Sequence, residues 1–473
     1  MKKIISITLA LCLTVSVALL SGCDNKKTSS GGNTSSGGSA STAERSIRNL
    51  NGRTVTIATT DNYGDRKTGE SETDDKRLEY FKKIENELNC KIEWVSYGNE
   101  ELTTKLITTA LSGDKFCDIA IPIFWNTAAN FTNKVLVDLN TVDTLNMKAD
   151  YWHQPTNELL SVNGVLRASA CGLTCLPVNE TAAVVFNKRI IKEMNLENPY
   201  ELYKNGKWTV EKLREMAKKA TKDLDGVSGM TKNDQWGITT LDRTALTQDI
   251  YTAYGFRTIT KNGTGVYQYN MNNSDFITHL KWIQDWYCND ASIFVNDDQD
   301  AQHAQFSNGK ALFYIFQLNY LSKFKNMTDD YGVVPFPMGT DKDNYAGLMN
   351  WNTRLMGIPV TVKGEELLDA GSVMQALAYY SKDDNNNKKQ EIVGRYLRDS
   401  ESIEMLDKIS ETGIHVPELF IATARFQSIQ QNTTWIAFAG VSDPTYDFAQ
   451  KIAETKNTAN SLIAEFSASI AKK

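Results

Sequence analysis

The chain has 473 residues, of which 41% are hydrophobic and 23% charged, and its formal net charge is −6 at pH 7. This length exceeds what one hydrophobic core supports, so we expect at least two lobes in the globular part. The composition excludes a largely disordered chain. The acidic balance provides no basic field that would hold nucleic acid, so nucleic acid is excluded as a partner.

The first 22 residues, 1–22, are predicted to be a lipoprotein signal peptide. Two lysines precede an almost wholly apolar run at residues 4–20, and small residues then lead directly to Cys23. This pattern resembles the bacterial lipobox, in which the cysteine is lipidated and becomes the new N-terminus; a retained signal anchor is the alternative. Both interpretations place the rest of the chain outside the cytoplasm, and the first predicts a lipid anchor at Cys23 in the cell membrane.

A flexible tether at residues 23–50 is predicted to follow the signal peptide. It is rich in serine, glycine, threonine and asparagine. Such a tract buries little apolar surface and behaves as a flexible coil. We therefore expect it to let a globular body, which begins near Asn51, stand away from the membrane.

The first part of the globular body alternates strands and helices. Strands are predicted at residues 54–59, 90–95 and 118–123, with helices at 74–89 and around Leu102, Leu106 and Ala110. This alternation is typical of βαβ units with a parallel sheet. Ligands of such sheets bind beyond the carboxyl ends of the strands. The polar and aromatic residues at those ends, Asp61, Tyr63, Trp125 and Asn126, are therefore candidate ligand-binding residues.

The segment at residues 176–188 is predicted to cross from one lobe to the other. It contains a proline-marked loop, a buried strand at 182–186 and a helix start at Asn187. This arrangement would place Glu180 in a cleft between the lobes, where it is a candidate ligand-binding residue. A carboxylate on a surface loop is the alternative.

The rest of the chain is predicted to be rich in helices. Helices are expected from the N-cap Thr209 through Ala220 and at residues 278–287, 367–380, 400–411, 417–425 and 448–466, with strands before Phe316 and at 331–337. Residues 382–390 are highly polar and are predicted to be a loose surface loop. Trp236 and Trp351 stand at the ends of loops expected to face the cleft, and each is a candidate for ligand stacking or for core packing.

The cysteines and one acidic loop each leave two interpretations open, the first for disulfide formation and the second for metal binding. The odd, scattered set of cysteines after Cys23 is not a disulfide framework, although a Cys171–Cys175 bridge and two free thiols both stay open. Asp223, Asp225 and Asp234 match part of a calcium-loop pattern, but Val227 and Ser228 occupy its fifth and sixth positions. We therefore expect no cofactor and no metal, with calcium at these three aspartates as the alternative.

The order of these pieces resembles the extracellular solute-binding proteins of bacterial ABC importers, in family 1, the carbohydrate-binding branch that is similar to maltose-binding proteins. The resemblance covers nearly the whole mature chain. Its carriers are the lipobox, the strand TVTIAT, Asp118-Ile119 with Phe124-Trp125, Leu139, Glu180 seven residues before Asn187, Lys207-Trp208-Thr209, Phe306 with Gly309-Lys310-Ala311, and residues 332–337. Each motif alone is weak, but their shared order and spacing make the match specific.

The resemblance implies an α/β, type II periplasmic-binding-protein-like fold. Such a fold has two discontinuous lobes joined by hinge crossovers, with a ligand cleft between them. We expect an N-terminal lobe of residues 51–178 plus 302–356 and a C-terminal lobe of residues 179–301 plus 357–473. The chain would then return to the first lobe near residues 301–306 and leave it again near residues 357–359.

The resemblance also implies a site that closes on a sugar. In maltose-binding relatives, a tryptophan that stacks on the sugar corresponds to Trp125, a crossover glutamate to Glu180, and a polar residue after the first strand to Asp61. The carboxylate that follows the stacking tryptophan in those relatives is replaced by Ala128. Maltose itself is therefore not carried over as the ligand.

The sequence predicts a monomeric substrate-binding lipoprotein that captures a sugar or oligosaccharide and delivers it to ABC permease subunits. Neither a Walker A motif nor a G-x-S-x-G elbow occurs, so we expect no enzyme. One alternative is a receptor for another small solute, such as an acidic sugar or an amino acid, with Arg354 as the anion-binding candidate. The other is a surface carbohydrate-active enzyme, because sequence does not give the distance between carboxylates.

Overall fold

The computed structural model describes residues 47–296, 298–349, 353–421 and 427–471. The predicted signal peptide, the tether with Cys23 up to residue 46, and the candidate residue Trp351 lie outside the described residues. The last four residues of the predicted tether, 47–50, are described, and its predicted end at residue 50 is wrong: Leu50 is 4% exposed against the apolar core and Arg48 Nε lies 2.7 Å from Asp369 Oδ1. In the part that is described, no helix combines the length and the apolar character needed to cross a membrane.

Strands and helices alternate along the described chain. The strands are β1 (Arg53–Thr59), β2 (Cys90–Ser96), β3 (Ile119–Ile121), β4 (Ala182–Asn187), β5 (Trp236–Thr239), β6 (Ile259–Lys261), β7 (Tyr267–Tyr269), β8 (Ile293–Phe294), β9 (Ala311–Gln317), β10 (Tyr331–Pro335), β11 (Gly347–Leu348) and β12 (Gly413–Ile414). The helices are α1 (Glu72–Leu88), α2 (Asn99–Ser112), α3 (Thr127–Thr132), α4 (Gln154–Leu160), α5 (Pro177–Glu180), α6 (Lys188–Glu193), α7 (Pro199–Lys204), α8 (Val210–Ala220), α9 (Arg243–Ala253), α10 (Ser274–Asn289), α11 (Gln299–Ser307), α12 (Glu365–Tyr380), α13 (Asp384–Arg395), α14 (Ser400–Thr412), α15 (Pro417–Phe420), α16 (Gln427–Gln431), α17 (Thr434–Gly440) and α18 (Phe448–Ala471).

The first sheet has the parallel βαβ arrangement that the sequence predicts. Its strand order is β2-β1-β3, and β1 pairs in parallel with both neighbours. Val55 and Ile57 of β1 are fully buried, and α1 covers the sheet with Ile84 and Leu88. The helix begins after Ser71, whose side chain accepts a hydrogen bond from the Asp74 amide, as a serine N-cap does.

The second sheet is mixed, with the order β10-β4-β9-β5-β8. All six residues of β4 are buried between antiparallel β9 and β10, which confirms the buried strand predicted after the crossover. Asn187 then caps α6 through the Ile190 amide, and Thr209 caps α8 through the Lys212 amide. Both helix starts agree with the sequence prediction.

The buried apolar residues form two clusters. The first core surrounds β1, β2 and β3 and includes α12; the second core surrounds the five-stranded sheet. The chain passes from the first core to the second between Cys175 and Val178, within the predicted crossover. The short helix α5 occupies this passage, with Pro177 at its first position and Glu180 at its end.

The cores divide the chain differently from the predicted lobes. Strands β9 and β10, expected in the N-terminal lobe, flank β4 in the second core, so the chain leaves the second core for the first between Phe336 and Leu348 and not near residues 301–306. The hairpin of β6 and β7, expected in the C-terminal lobe, also packs in the first core through Ile259 and Tyr267. Helix α12, expected in the C-terminal lobe, packs in the first core through Val373 and Met374. The prediction was wrong here because a strand that is apolar on both faces fits the interior of either sheet.

The predicted loop at residues 382–390 is also wrong, since most of it lies in helix α13. Asp384 is buried and accepts a 2.7 Å hydrogen bond from Arg77 Nε. The apolar residues of α13 are Ile392 and Val393, near its C-terminal end. The first turns therefore show no apolar period, and the helix is held by buried polar contacts instead.

The described cysteines are all free thiols, which decides between the two alternatives for Cys171 and Cys175. Both are buried, and Ser381 Oγ donates to Cys171 Sγ across 3.5 Å. Cys117 is 1% exposed in the first core. Burial raises the pKa of Cys171 and Cys175, so both stay protonated and unreactive at neutral pH.

Candidate ligand-binding site

A polar cavity of about 220 Å³ lies beside α5, where the chain leaves the first core. The loop and helix start that follow β1 form one wall, and the turn and helix at residues 173–180 form another. Among the described residues, the charged side chains that line it are Asp61, Arg66, Asp74, Arg77, Glu180, Arg354 and Lys388. The cavity is thus built from segments distant in sequence that meet at the crossover.

Four of the predicted ligand residues line this cavity together: Asp61, Tyr63, Glu180 and Arg354. Asp61 and Tyr63 lie there because they follow the carboxyl end of β1. Glu180 ends the crossover helix, and Arg354 follows the passage from the second core to the first between Phe336 and Leu348. Their contact with a ligand stays a prediction.

Asp61 lies between two guanidinium groups. Its Oδ2 is 3.3 Å from Arg66 Nη2 and 3.8 Å from Arg354 Nη1. The loop around it is fixed by backbone contacts, because the Asp61 amide donates to Thr59 Oγ1 and Ser96 Oγ donates to the Asp61 carbonyl. The carboxylate is partly exposed to the cavity and is therefore placed to accept hydrogen bonds from a solute.

Arg66 and Arg77 extend the same charged wall. Asp74 of α1 accepts hydrogen bonds from Arg66 Nη1 and, at 3.4 Å, from Arg77 Nη1. Burial lowers the pKa of Arg66, but a guanidinium stays charged at neutral pH. Burial also acts to lower the pKa of Arg77, yet the Asp384 carboxylate raises it above its ordinary value.

Glu180 is held at both carboxylate oxygens. Its Oε1 accepts a 3.1 Å hydrogen bond from the Leu176 amide, and its Oε2 accepts one from Thr353 Oγ1. Burial raises the pKa of Glu180, whereas these two donors and the nearby Arg354 lower it. The side chain is half-buried and lines the cavity, so its remaining lone pairs are available to a bound solute.

Tyr63 shapes the cavity without offering an open ring face. It is 2% exposed, its hydroxyl donates to the Leu173 carbonyl across 3.0 Å, and its ring centroid lies 5.1 Å from that of Trp94. The Arg66 guanidinium lies 4.8 Å from its ring centroid. Burial raises the pKa of Tyr63 to about 12, so it remains a neutral hydrogen-bond donor.

Three other predicted residues lie away from the cavity. Trp125 is half-buried in a 3-10 helix, Phe124–Asn126, and does not line it. Asn126 is buried and donates through Nδ2 to the Asn99 carbonyl and to Glu100 Oε1, which ties that helix to α2. Trp236 begins β5, where Nε1 donates to the Thr231 carbonyl and the ring packs on Phe294.

The sequence analysis missed several cavity residues, among them Arg66, Asp74, Arg77 and Lys388. The first three lie in the β1–α1 connection and the first turns of α1. Their position after the first strand of a parallel sheet is the signal that could have found them. Lys388 belongs to α13, which the sequence did not predict, so no local pattern identified it.

The three aspartates of the calcium-like loop lie close together. One carboxylate oxygen from each of Asp223, Asp225 and Asp234 falls within 4.8 Å of the others. Asp234 is buried and accepts hydrogen bonds from the amides of Leu224 and Thr231. These bonds satisfy the carboxylate without an ion, and calcium binding stays a prediction.

Residues 69–386, more than half of the chain, match the family model described as bacterial extracellular solute-binding protein. The chain belongs to this family. The resemblance seen in the sequence is therefore confirmed, and the protein is placed outside the cytoplasm. No curated protein sequence matches the chain.

Solved structures of solute-binding proteins share the fold of this family member. The cyclic α-maltosyl-1,6-maltose binding protein of Arthrobacter globiformis aligns with a TM-score of 0.60 and 13% identity, over 87% of this chain and 99% of that one. UspC of Mycobacterium tuberculosis gives 0.59 and 14%, over 86% and 100%. The maltose/maltodextrin-binding domain MalE of Bdellovibrio bacteriovorus, bound to maltotriose, gives 0.53 and 16%, over 88% and 98%. These similarities confirm the predicted α/β, type II periplasmic-binding-protein-like fold.

Proposed function

We propose that this solute-binding protein captures a sugar or oligosaccharide in the cavity between Asp61 and Glu180. It delivers that ligand to the permease subunits of an ABC importer. The observation that carries the proposal is the convergence of polar side chains at the crossover of a chain in this family. Closure of the two halves around such a cavity would bury the ligand and present a new shape to the permease.

The chemistry of the wall favours a neutral, hydroxyl-rich ligand. Each cationic side chain of the wall has a carboxylate neighbour: Arg66 with Asp61 and Asp74, Arg77 with Asp384, Arg354 with Asp61, and Lys388 with Glu391. The wall therefore has no surplus of positive charge that would call for an anion. Carboxylate oxygens and guanidinium groups can accept from and donate to sugar hydroxyls while staying paired.

The named ligands of similar structures agree with this class of solute. One neighbour is bound to maltotriose, and another is a cyclo/maltodextrin-binding protein complexed with maltotetraose. Their identities to this chain, 16% and 15%, support a carbohydrate as a class and leave the particular sugar to be determined by experiment. The replacement of the expected carboxylate by Ala128 argues against a maltose site of the usual composition.

A lipid anchor at Cys23 completes the proposal for location. The family is extracellular, and the lipobox-like sequence before Cys23 would tie the receptor to the outer face of the cell membrane. The tether that follows Cys23 and precedes the folded body would then leave the receptor free to reach its permease. Growth with labelled palmitate, followed by comparison of the protein with a Cys23→Ala variant, tests the anchor directly.

A thermal-shift screen tests the ligand class. The protein lacking residues 1–23 is melted with neutral mono- and oligosaccharides, acidic sugars and amino acids, and the solute is recovered afterwards by chromatography. A neutral sugar should stabilise the fold by about 2.7 kcal/mol at a hundredfold excess over its dissociation constant and be recovered intact. Stabilisation by acidic sugars or amino acids alone would replace the proposal with the other receptor class, and cleavage of the sugar would contradict a receptor.

A further inference from the structure

A continuous chain of side-chain hydrogen bonds runs from Glu180 into the first core. Thr353 Oγ1 contacts Glu180 Oε2 and lies 3.0 Å from His415 Nε2. The other ring nitrogen, His415 Nδ1, lies 2.8 Å from Thr156 Oγ1, and that hydroxyl lies 2.7 Å from His153 Nδ1. Five side chains from four separate segments are thus joined, and only Glu180 of the five lines the cavity.

The two threonines of this chain are buried, and the His415 ring is supported by an aromatic neighbour. The hydroxyl-bearing residues Thr353 and Thr156 are fully buried. Phe124, directly after β3, stacks on the His415 ring with centroids 4.7 Å apart and an interplanar angle of 20°. His415 follows β12, which pairs with β11. The stacked ring and a hydrogen-bond partner at each ring nitrogen therefore fix the orientation of the histidine.

When Glu180 is ionised, the number of available protons allows only one donor-to-acceptor direction for the hydrogen bonds between these five side chains. A carboxylate only accepts, so the Thr353 hydroxyl donates its single proton to Glu180. The contact between Thr353 and His415 then needs a proton from the ring, which makes His415 the Nε2–H tautomer. Its Nδ1 must accept from the Thr156 hydroxyl, and His153 must in turn donate from Nδ1.

A protonated Glu180 reverses every bond in the chain. The carboxylic acid would then donate to Thr353, whose hydroxyl would donate to His415 Nε2. His415 would become the Nδ1–H tautomer, and Thr156 would donate to His153. The two directions do not mix, because each hydroxyl carries one proton and each neutral imidazole carries one. The tautomer of His415 therefore reports the charge of Glu180.

We propose that Thr353, His415, Thr156 and His153 are positioning residues that hold Glu180 as an ionised, oriented acceptor for the ligand. Thr353, at the end of this relay, donates one hydrogen bond to Glu180 Oε2, and the Leu176 amide donates one to Oε1. Together the two bonds fix the plane of the carboxylate. The remaining lone pairs then face the cavity. The inference rests on the proposed function to the extent that Glu180 contacts the ligand.

Burial and the surrounding charges act on the ionisation of Glu180 in opposite directions. Burial raises the pKa of Glu180 above its ordinary value, and of the groups that face it, which are Arg354, Arg77 and the Cys175 thiol, the two arginines lower it. His415 faces His153, and burial lowers the pKa of His415 to about 3. Since the pKa of Glu180 lies above its ordinary 4.5, Glu180 takes up a proton before His415 does as the pH falls. As the pH falls below neutral, protonation of Glu180 can therefore switch the tautomer of His415 while that histidine is still neutral.

Nitrogen-15 NMR of the histidine rings in the ligand-free protein tests the relay without requiring a known ligand. The chain has four histidines, so variants at His279 and His303 assign the signals of the other two. At pH 7 we expect the Nε2–H tautomer at His415 and the Nδ1–H tautomer at His153. Thr353→Val should abolish this preference at His415, and Thr353→Ser should restore it. An Nδ1–H tautomer of His415 at pH 7, or a tautomer preference unchanged in Thr353→Val, would overturn the relay.

A matched variant separates the relay from general packing and from ligand capture. Thr239 is also fully buried, but its hydroxyl donates to the Gln302 carbonyl in the second core. Thr239→Val should leave the His415 signals unchanged. With the neutral sugar that gives the largest thermal shift, Thr353→Val should weaken binding about tenfold, because Glu180 loses a charge-assisted hydrogen bond. If Thr353→Val leaves the affinity unchanged although the tautomers are as expected, the positioning role is refuted and the hydrogen-bond relay stands. If no sugar binds the parent protein, only the proposed function is refuted.

Discussion

The Arg77 guanidinium and the Asp384 carboxylate form a buried ion pair that joins α1 to α13, with Nε and Oδ2 2.7 Å apart. Their side chains are only 6% and 1% exposed. Tyr80 also donates to the same Asp384 oxygen, across 3.2 Å. Since Arg77 lines the cavity as well, this pair fixes part of the binding wall to a helix from another region of the sequence.

Replacing Asp384 with asparagine should destabilise the protein, because Arg77 would remain buried without its closest anionic partner. The 3.4 Å contact of Arg77 Nη1 with Asp74 Oδ1 would remain, but the shorter, fully buried one would be lost. We expect Asp384→Asn to lower the free energy of unfolding by about 3 kcal/mol in urea titrations. The exposed pair Arg189–Glu193 provides a control, with side chains 39% and 54% exposed. Glu193→Gln should change the free energy of unfolding by less than about 0.5 kcal/mol. Equal effects of the two substitutions would show that burial does not govern the first pair.

Gly172 marks a close approach of two backbone segments next to this pair. A Cβ at this position would lie 1.8 Å from the Ser381 carbonyl oxygen, and the Gly172 carbonyl accepts a hydrogen bond from Arg77. Gly172→Ala should therefore lower the free energy of unfolding by about 3 kcal/mol. Gly263→Ala is the matched substitution, since nothing lies within 4 Å of the added Cβ there. A tolerated Gly172→Ala, measured in the same urea titrations, would mean that the two segments separate at little cost.

His279 should make stability depend on acid. Its ring lies between Tyr254 and Trp282, and burial lowers its pKa from 6.5 to about 4. The unfolded chain then binds more protons than the folded protein between these values, so stability falls as the pH falls through this window. Between pH 7 and pH 5, protonation of this histidine in the unfolded chain should lower the free energy of unfolding by about 2 kcal/mol.

His279→Phe keeps an aromatic ring in the stack and removes the titrating group. Urea titrations at pH 7 and pH 5 should show a smaller loss of stability for the variant than for the parent protein. The residual loss should include a contribution from His415, whose pKa is also lowered by burial. An identical loss in both proteins would show that His279 titrates in the folded state as it does in the unfolded chain.

Asp61 should matter to ligand affinity more than to stability. Asp61→Asn removes the charge that balances Arg66 and Arg354 and leaves an amide with one acceptor oxygen in its place. We expect a loss of affinity of about tenfold or more for the neutral sugar that binds best, measured by calorimetry. Trp236→Phe should leave that affinity unchanged, because Trp236 packs on Phe294 in the second core. A stronger effect at Trp236 than at Asp61 would move the site away from this cavity.

Trp125 offers a separate test of the family resemblance. The resemblance predicts that this ring stacks on the sugar, whereas the described cavity is lined without it. Trp125→Ala should reduce sugar affinity if the ligand extends beyond the cavity toward the 3-10 helix at Phe124–Asn126. Retained affinity in this variant, with a loss in Asp61→Asn, would confine the ligand to the cavity. The comparison thus measures how far the binding site extends.

The sequence by itself determined the local elements and the family. Strand β1, helices α1 and α8 and strand β4 were predicted close to their observed bounds, because apolar period and cap residues are local signals. Asp61 and Glu180 were predicted as ligand residues because they follow recognisable strand and crossover patterns; both line the cavity, and their contact with a ligand stays a prediction. Residues with such local signals can be predicted without knowing which other residues they contact.

The tertiary structure decided which elements share a core and which side chains meet. Strand β9 joined the second sheet, and α13 formed around buried polar contacts that its sequence pattern does not show. The bond from Thr353 to Glu180 and the pair of Arg77 with Asp384 span 173 and 307 positions of the chain. A local pattern shows that a residue is buried but not what it is buried against, so pairings over such separations are fixed only when the whole fold closes.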